Sequence, residues 1–305
     1  MFHRGGPIGP HLVVALLCCV LMAHDARSSQ VSPLSQRQLP PPALDLITAY
    51  VTVTASKGLP PRLLASDFHL MEDGVEQRIE YFAVHDQPAS VGIVWGGGTA
   101  FDPEPPDPDM VACPREFMKS LPLGSEYFVL SGDKVTTSYT TDLNLIPKQF
   151  AWSGASSDTV FVGLDVLKEA ASFRKILFVI AKPDSGSGGQ LQTEYLERVA
   201  IRQGYQVHVV VFVTDARVLD APGQIFLSEL AELSGGSFTL TNVSDLICGT
   251  IAKEIRLQYL LGYRPTNGAK DGKWRKLSVK VDGSSGGQKL KAKIRRGYYA
   301  MKDRE

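Results

Sequence analysis

A glycine-rich turn directly follows a short apolar run in residues 90–101, SVGIVWGGGTAF. The run, residues 90–94, is typical of a buried central strand in a parallel sheet. Ligands of open α/β sheets bind at the carboxyl ends of the strands, where Gly97 and Thr99 would lie. No Lys-Ser or Lys-Thr pair follows the glycines, and the G-x-G-x-x-G spacing is absent. The turn therefore does not indicate a phosphate-binding loop.

Other side chains capable of chemistry are scattered along the chain. His69, His85 and His208 are isolated, and none has the spacing of a metal or catalytic site. Residues 153–157 contain three serines without the nucleophile-elbow pattern. We therefore expect no catalytic residue and no cofactor, and we expect that the protein is not an enzyme.

Charge and length limit the classes of function. The 305 residues include 32 Lys plus Arg and 32 Asp plus Glu, so the formal net charge is zero. This balance gives no long-range attraction to nucleic acid, and we expect no nucleic-acid partner. The hydrophobic content of 44% is enough for one substantial core and a smaller second unit.

The beginning of the chain has the pattern of an export signal. Residues 12–23, LVVALLCCVLMA, form an apolar run that is short for a membrane span and follows a basic start. We assign residues 1–28 to a signal peptide, with an uncleaved anchor as the alternative. Residues 29–43 are rich in Ser, Gln and Pro and predict a flexible linker. The expected location is exported: periplasmic, envelope-associated or secreted.

The elements that would position the glycine-rich turn follow the order β, α/β, β. Residues 44–86 contain three predicted strands, with a hairpin turn at residues 72–74. Residues 87–255 alternate strands with helices, and residues 256–302 return to strands. This order predicts a Rossmann-like, doubly wound and mostly parallel sheet, inserted between N- and C-terminal β segments that pack together as a small β unit.

Three helix boundaries carry specific signals. Pro114 predicts a helix over residues 110–121 that is kinked or begins at that proline. A second helix is expected over residues 159–173. The last helix is expected over residues 242–254, with Asn242 or Ser244 as its cap.

Two cysteines remain once the signal peptide is removed, Cys113 and Cys248. An even count in an exported protein permits one disulfide. Two separately buried thiols are the alternative that the residues alone leave open.

Four short segments, in this order, resemble the von Willebrand factor type A-related proteins of acidobacteria and similar bacteria. They are Asp67-Phe68 with Glu72-Asp73-Gly74, then residues 257–265 (LQYLLGYRP), 271–276 (DGKWRK) and 297–300 (GYYA). The resemblance covers roughly residues 44–300 and assigns residues 87–255 to a type A-like domain. It implies a module that binds proteins.

A type A domain binds a divalent cation through Asp-x-Ser-x-Ser in one loop, Thr in a second and Asp in a third, because Mg²⁺ prefers hard oxygen ligands. In this sequence the corresponding positions hold Trp95, Gly97 and Thr99, then Thr159, then Lys182. Both carboxylates are absent, so the resemblance implies a degenerate site without a metal. It leaves Thr99, Thr159 and Lys182 as candidate contacts for a protein partner.

The resemblance also places Cys113 and Cys248 on two helices that lie side by side, so we expect them to be close, within reach of a disulfide bond. The leading hypothesis is a secreted or envelope-associated, non-catalytic module that binds an unknown protein partner. The alternative is a structural or scaffolding envelope protein whose β segments drive assembly.

Overall fold

A six-stranded, mostly parallel sheet is formed by the middle of the chain. The structure, a computed structural model, describes residues 46–84, 86–96, 108–131, 134–147, 156–182, 199–213, 222–242, 247–282 and 289–301. The strands of this sheet are β5 (Ser90–Gly96), β6 (Glu126–Ser131), β7 (Lys134–Thr140), β8 (Lys175–Ala181), β9 (Gln206–Phe212) and β10 (Phe238–Thr241). Their spatial order is β10-β9-β8-β5-β6-β7, and β7 alone of these six runs antiparallel to its neighbour.

Strand β5 lies in the interior of this sheet, between β6 and β8, as the apolar run of residues 90–94 predicts. All seven of its residues are buried. Gly92 permits close packing here, because a Cβ atom at that position would lie 2.3 Å from the ring of Phe128. Gly163, on the helix Ser156–Val166 that packs against β5, permits the same close packing, because a Cβ atom there would lie 2.9 Å from Val94.

Helices cover both faces of the sheet. The described helices are α1 (Pro108–Ser120), α2 (Ser156–Val166), α3 (Pro222–Ser234) and α4 (Ile247–Arg256), and residues 199–203 are also helical. Helices α1 and α4 share one apolar cluster with Ile93 and Trp95 of β5. Helices α2 and α3 share the other cluster with Val94. Alternate residues of β5 thus face opposite layers, which is the expected doubly wound α/β arrangement.

The structure corrects one expected helix boundary, the end of the second helix. Helix α1 begins at Pro108 and contains Pro114 in its interior, so of the two alternatives for this helix the start at Pro114 is excluded. Helix α2 ends at Val166 and is followed by a 3-10 turn, Leu167–Glu169, after which the backbone becomes extended at Ala170. Helix α4 is described over Ile247–Arg256; residues 243–246 lie outside the described residues, so the expected cap at Asn242 or Ser244 stays a prediction.

Two four-stranded sheets are built from both ends of the described chain. The strands are β1 (Ile47–Ala55), β2 (Phe68–Glu72), β3 (Val75–Gln77), β4 (Ile79–Val84), β11 (Tyr259–Tyr263), β12 (Trp274–Val281), β13 (Leu290–Lys293) and β14 (Gly297–Tyr299). One sheet has the order β13-β1-β11-β4 and the other β14-β12-β2-β3. Residues 44–86 form four strands rather than the three expected, and β3 and β4 belong to different sheets. The two sheets share one apolar core that includes Val51, Leu70 and Leu261.

The segments that carry the resemblance meet in these two sheets. Residues 72–75 turn through Asp73 and Gly74, whose φ values of 48° and 84° are those of a tight hairpin. The Asp73 carboxylate accepts a hydrogen bond from the Lys276 backbone N–H at 2.8 Å. The buried Glu72 carboxylate accepts bonds from the hydroxyls of Tyr263 at 2.6 Å and Tyr298 at 2.9 Å. These segments therefore have a structural role in joining the strands.

A buried arginine connects the central sheet to the outer sheet that contains β1 and β11. Arg174, just before β8, donates to the carbonyl of Ile255 at 2.7 Å and to the side-chain oxygen of Gln258. Gln258 in turn donates to the Thr52 hydroxyl at 2.9 Å. Burial lowers the pKa of Arg174 to about 10, because the cation loses its contact with water. The neutral acceptors take the place of that water.

Among the described helices, none has the length and apolar character needed to cross a membrane.

Candidate functional site

The carboxyl ends of β5 and β8 hold two of the residues aligned with a type A metal site. Trp95 is fully buried and belongs to the cluster on the face of helices α1 and α4. Lys182 directly follows the last residue of β8 and is partly buried. Gly97 and Thr99 lie outside the described residues. The edge thus presents an ammonium group where the resemblance would require a carboxylate.

Thr159 lies in the first turns of α2 and is 1% exposed. It contributes no surface to a partner in this structure. Its neighbour Val160 packs in the cluster on the face of α2 and α3, opposite to the cluster that contains Trp95. Helix α2, which carries Thr159, packs against β5, which carries Trp95.

The described residues at this edge do not fit a divalent cation. An indole offers only an N–H donor and an ammonium only positive charge, whereas Mg²⁺ requires several oxygen ligands. Within the described ranges, there is also no group of three or more His, Cys, Asp or Glu side chains placed to hold a metal ion.

The structure joins Cys113 of α1 to Cys248 of α4 by a disulfide, with a Cα–Cα distance of 5.5 Å. Both residues are 1% exposed. Beside them, the rings of Phe117 and Phe178 stack with centroids 3.9 Å apart. The bond fixes two helices that cover the same face of the central sheet, so its role is structural.

A second surface was not found by sequence reasoning. We call it the aromatic groove; its volume is about 540 Å³, and it is lined by Ile201, Leu233, Trp274, Lys276, Leu277, Arg296 and Tyr299. Trp274 and Tyr299 are partners across the β12–β14 pair, with ring centroids 5.0 Å apart and planes at 67°. The antiparallel pairing therefore holds both rings in place. The one signal in the sequence was the aromatic character of the segments DGKWRK and GYYA.

The aromatic groove is positively charged at its rim. The Arg202 guanidinium lies 6.0 Å from the centre of the Tyr299 ring. Arg296 forms an ion pair with Glu232. Lys276 is exposed and has no carboxylate partner in the part of the chain that the structure describes. The groove therefore combines aromatic faces with an excess of cations.

No family model matches the chain, and no curated protein matches it. Solved structures with a similar fold include the conserved hypothetical protein BatB from Bacteroides thetaiotaomicron, at 14% identity and a TM-score of 0.38, over 54% of this chain and 97% of that one. Another is a von Willebrand factor type A protein from Catenulispora acidiphila, at 10% identity and a TM-score of 0.44, over 77% of this chain and 72% of that one. A third is an aerotolerance-related membrane protein from Bacteroides fragilis, at 13% identity and a TM-score of 0.38, over 54% of this chain and 98% of that one. These TM-scores are below 0.5 and carry no assignment of family or activity.

Proposed function

We propose that this protein is an exported, non-catalytic module that binds a protein partner, with no metal ion at the strand ends. The observation that carries the proposal is the aromatic groove. Trp, Tyr and Arg are the residue types that contribute most binding energy in protein interfaces. Here they stand together in a preformed concave surface, so little side-chain order would be lost on binding.

The charge of the groove indicates the chemistry of the partner. Lys276 lines the groove and the Arg202 guanidinium lies 6.0 Å from the centre of the Tyr299 ring, so both add positive charge near the aromatic pair. A partner segment with an apolar side chain flanked by carboxylates would complement both features. Lys182, at the carboxyl edge of the sheet, is the second candidate contact for an acidic group, together with Thr99.

The experiment is capture of a protein from envelope extract by the purified chain, in the presence of a chelator. Tyr299→Ala and Lys276→Glu change the groove, and Lys280→Glu is the matched control, because it is an exposed lysine on the same strand outside the groove. Capture should survive the chelator and Lys280→Glu. It should weaken about 30-fold with Tyr299→Ala, the effect of removing a hot-spot side chain worth ~2 kcal/mol. Loss of binding in chelator, or binding unchanged in both groove variants, would refute the proposal.

A scaffolding role is the second candidate, and one observation favours it. Strand β4 lies at the end of its sheet and exposes Val84, and such edges can pair with another chain. Light scattering of the purified chain and of Val84→Lys tests this role. Assembly that the lysine abolishes, in a chain that fails to capture any partner, would favour scaffolding over binding.

A further inference from the structure

The aromatic groove takes its lining from an outer sheet and from the helices beside it. Trp274 and Lys276 belong to β12 and Tyr299 to β14, whereas Ile201 and Leu233 belong to helical segments. Strands β14 and β12 are neighbours at one end of their four-stranded sheet. The groove volume of about 540 Å³ lies within the range of about 300–1,000 Å³ that is usual for ligand sites.

The register of β12 and β14 sets the pattern on the sheet side of the groove. Trp274 is paired with Tyr299, and Lys276 with Gly297. Directly opposed residues of antiparallel strands point to the same side of a sheet, and so do residues two apart in one strand. The two aromatic rings therefore form one row, and Lys276 follows in the next row, about 7 Å further along the strands.

Gly297 allows the indole of Trp274 to lie against the backbone of β14. A Cβ atom at Gly297 would lie 2.4 Å from Cζ2 and 2.6 Å from Cε2 of the indole. The Tyr299 ring lies beside the indole, with the centroids 5.0 Å apart. Both aromatic residues are only partly buried. The rings are thus held in place before a partner arrives, which lowers the entropy cost of binding.

The charged residues near the two rings are cations. Arg296 is paired with Glu232, so its charge is offset. Lys276 is exposed, and the Arg202 guanidinium lies 6.0 Å from the centre of the Tyr299 ring. In the part of the chain that the structure describes, neither Lys276 nor Arg202 has a carboxylate partner. A bound segment that carries carboxylates would supply the missing negative charge.

On the basis of the function proposed above, we propose that the partner presents a proline-rich segment in the polyproline II conformation, with acidic residues beside the prolines. Such segments dock into aromatic grooves, and they are already extended before they bind. Proline has no N–H group, so it leaves no donor unsatisfied against an apolar surface. One turn of this helix is about 9 Å long, so a carboxylate one turn from a proline on the aromatic row is within reach of Lys276.

Addition of a partner strand to the sheet is the competing mode of binding. Strand β14 is the terminal strand of its sheet, but it has only three residues, Gly297–Tyr299. Strand addition depends on main-chain hydrogen bonds along such an edge, and three residues provide few of them. A proline-rich segment cannot donate these bonds, so its binding distinguishes the two modes.

Calorimetric titration of the purified full-length chain with synthetic peptides tests the proposal. The peptides, acetylated and amidated at their ends, are EPPEPPE, its alanine counterpart EAAEAAE and its basic counterpart KPPKPPK. We expect EPPEPPE to bind with a dissociation constant below ~1 mM, and the other two at least ~10-fold more weakly. Added salt should weaken the binding of EPPEPPE, because part of the attraction is between exposed charges.

Variants of the groove test its charge and its rings separately. Lys276→Glu changes an exposed residue and should reverse the preference, so that KPPKPPK binds more tightly than EPPEPPE. A loss of folding would not produce such a reversal. Lys280→Glu, on the same strand outside the groove, is the matched control and should keep the original preference. Tyr299→Ala should weaken binding of EPPEPPE at least ~10-fold, whereas Tyr299→Phe keeps the ring and should change it little.

Four results would overturn the proposal. They are binding of EAAEAAE or of KPPKPPK as tight as that of EPPEPPE, no binding of EPPEPPE at ~1 mM, and an unchanged preference in Lys276→Glu. Self-association of the chain that EPPEPPE reverses would also overturn it, by assigning the groove to a second copy. Capture from envelope extract separates this proposal from the one on which it rests. Groove-dependent capture without binding of EPPEPPE would refute only the proline-rich partner, and binding of EPPEPPE without capture would refute only the function proposed above.

Discussion

The disulfide between Cys113 and Cys248 should contribute a large share of the stability of the central domain. The two residues are 135 positions apart, so the bond closes a loop that contains most of the α/β domain. The chain-entropy relation gives about 5 kcal/mol for a loop of that length, and measured values are often lower. We therefore expect a loss of about 3–5 kcal/mol in the free energy of unfolding when the bond is removed.

Urea unfolding measures this loss in two independent ways. One compares the oxidised protein with the same protein in reductant. The other compares it with the Cys113→Ala/Cys248→Ala variant, which should be insensitive to reductant. With a urea dependence of about 3 kcal/mol per M, the midpoint should fall by about 1–1.7 M in both comparisons. The reductant should also increase the slope, because the unfolded chain becomes less compact.

Two results would refute this reasoning. Equal midpoints for oxidised and reduced protein would show that the bond does not constrain the unfolded chain. Mass analysis that finds two free thiols in the oxidised protein would show that the bond does not form.

Three further predictions concern the metal site, the core of the outer sheets and the pH dependence of stability. Titration with Mg²⁺ or Mn²⁺ should give no calorimetric signal of tight binding, because the aligned carboxylate positions hold an indole and an ammonium; micromolar binding that Thr159→Ala abolishes would contradict this. Tyr263→Phe should lower the free energy of unfolding by about 2 kcal/mol in urea, since it removes a 2.6 Å bond to the buried Glu72 carboxylate, and an unchanged midpoint would show that the bond is not needed. The His69 ring is hydrogen-bonded to the carboxylates of Asp282 and Glu76, and these bonds, Asp282 first, raise the pKa of His69. The contribution of His69 to stability is therefore complete below the ordinary pKa of about 6.5, and it is lost as the pH rises through the raised pKa. His69→Gln should flatten this part of the stability profile, and a wild-type profile without a slope there would contradict the assignment.

Local sequence signals were sufficient for the elements of the central sheet. The apolar run of residues 90–94, followed by glycines, predicted the buried strand β5. The boundary between β3 and β4 was missed, because Arg78 resembles any exposed strand residue and nothing local shows that the chain crosses to another sheet there. The ends of helices were also missed where the backbone, as at Ala170, leaves the helix without a glycine or proline.

The candidate sites were less accessible to sequence reasoning than the fold. Ile201, Leu233 and Trp274 are far apart in the sequence, and only tertiary packing places them around one groove. Trp274 and Tyr299 were noticed only as parts of short motifs, because their mutual contact depends on the register of β12 and β14.

The pairing of β1 has a consequence for how the protein is made. Strand β1 pairs with β11 and β13, and β2 pairs with β12, so the first strands to leave the ribosome have partners near the end of the chain. Until residues 259–293 are synthesised, the edges of β1 have no strand to pair with, although the central sheet can already form. Contacts this distant in sequence are slow to form, and open edges aggregate. Premature termination or slow translation near the C-terminus should therefore yield chains with a folded central domain and an aggregation-prone N-terminal segment. Such chains are substrates for holding chaperones and proteases.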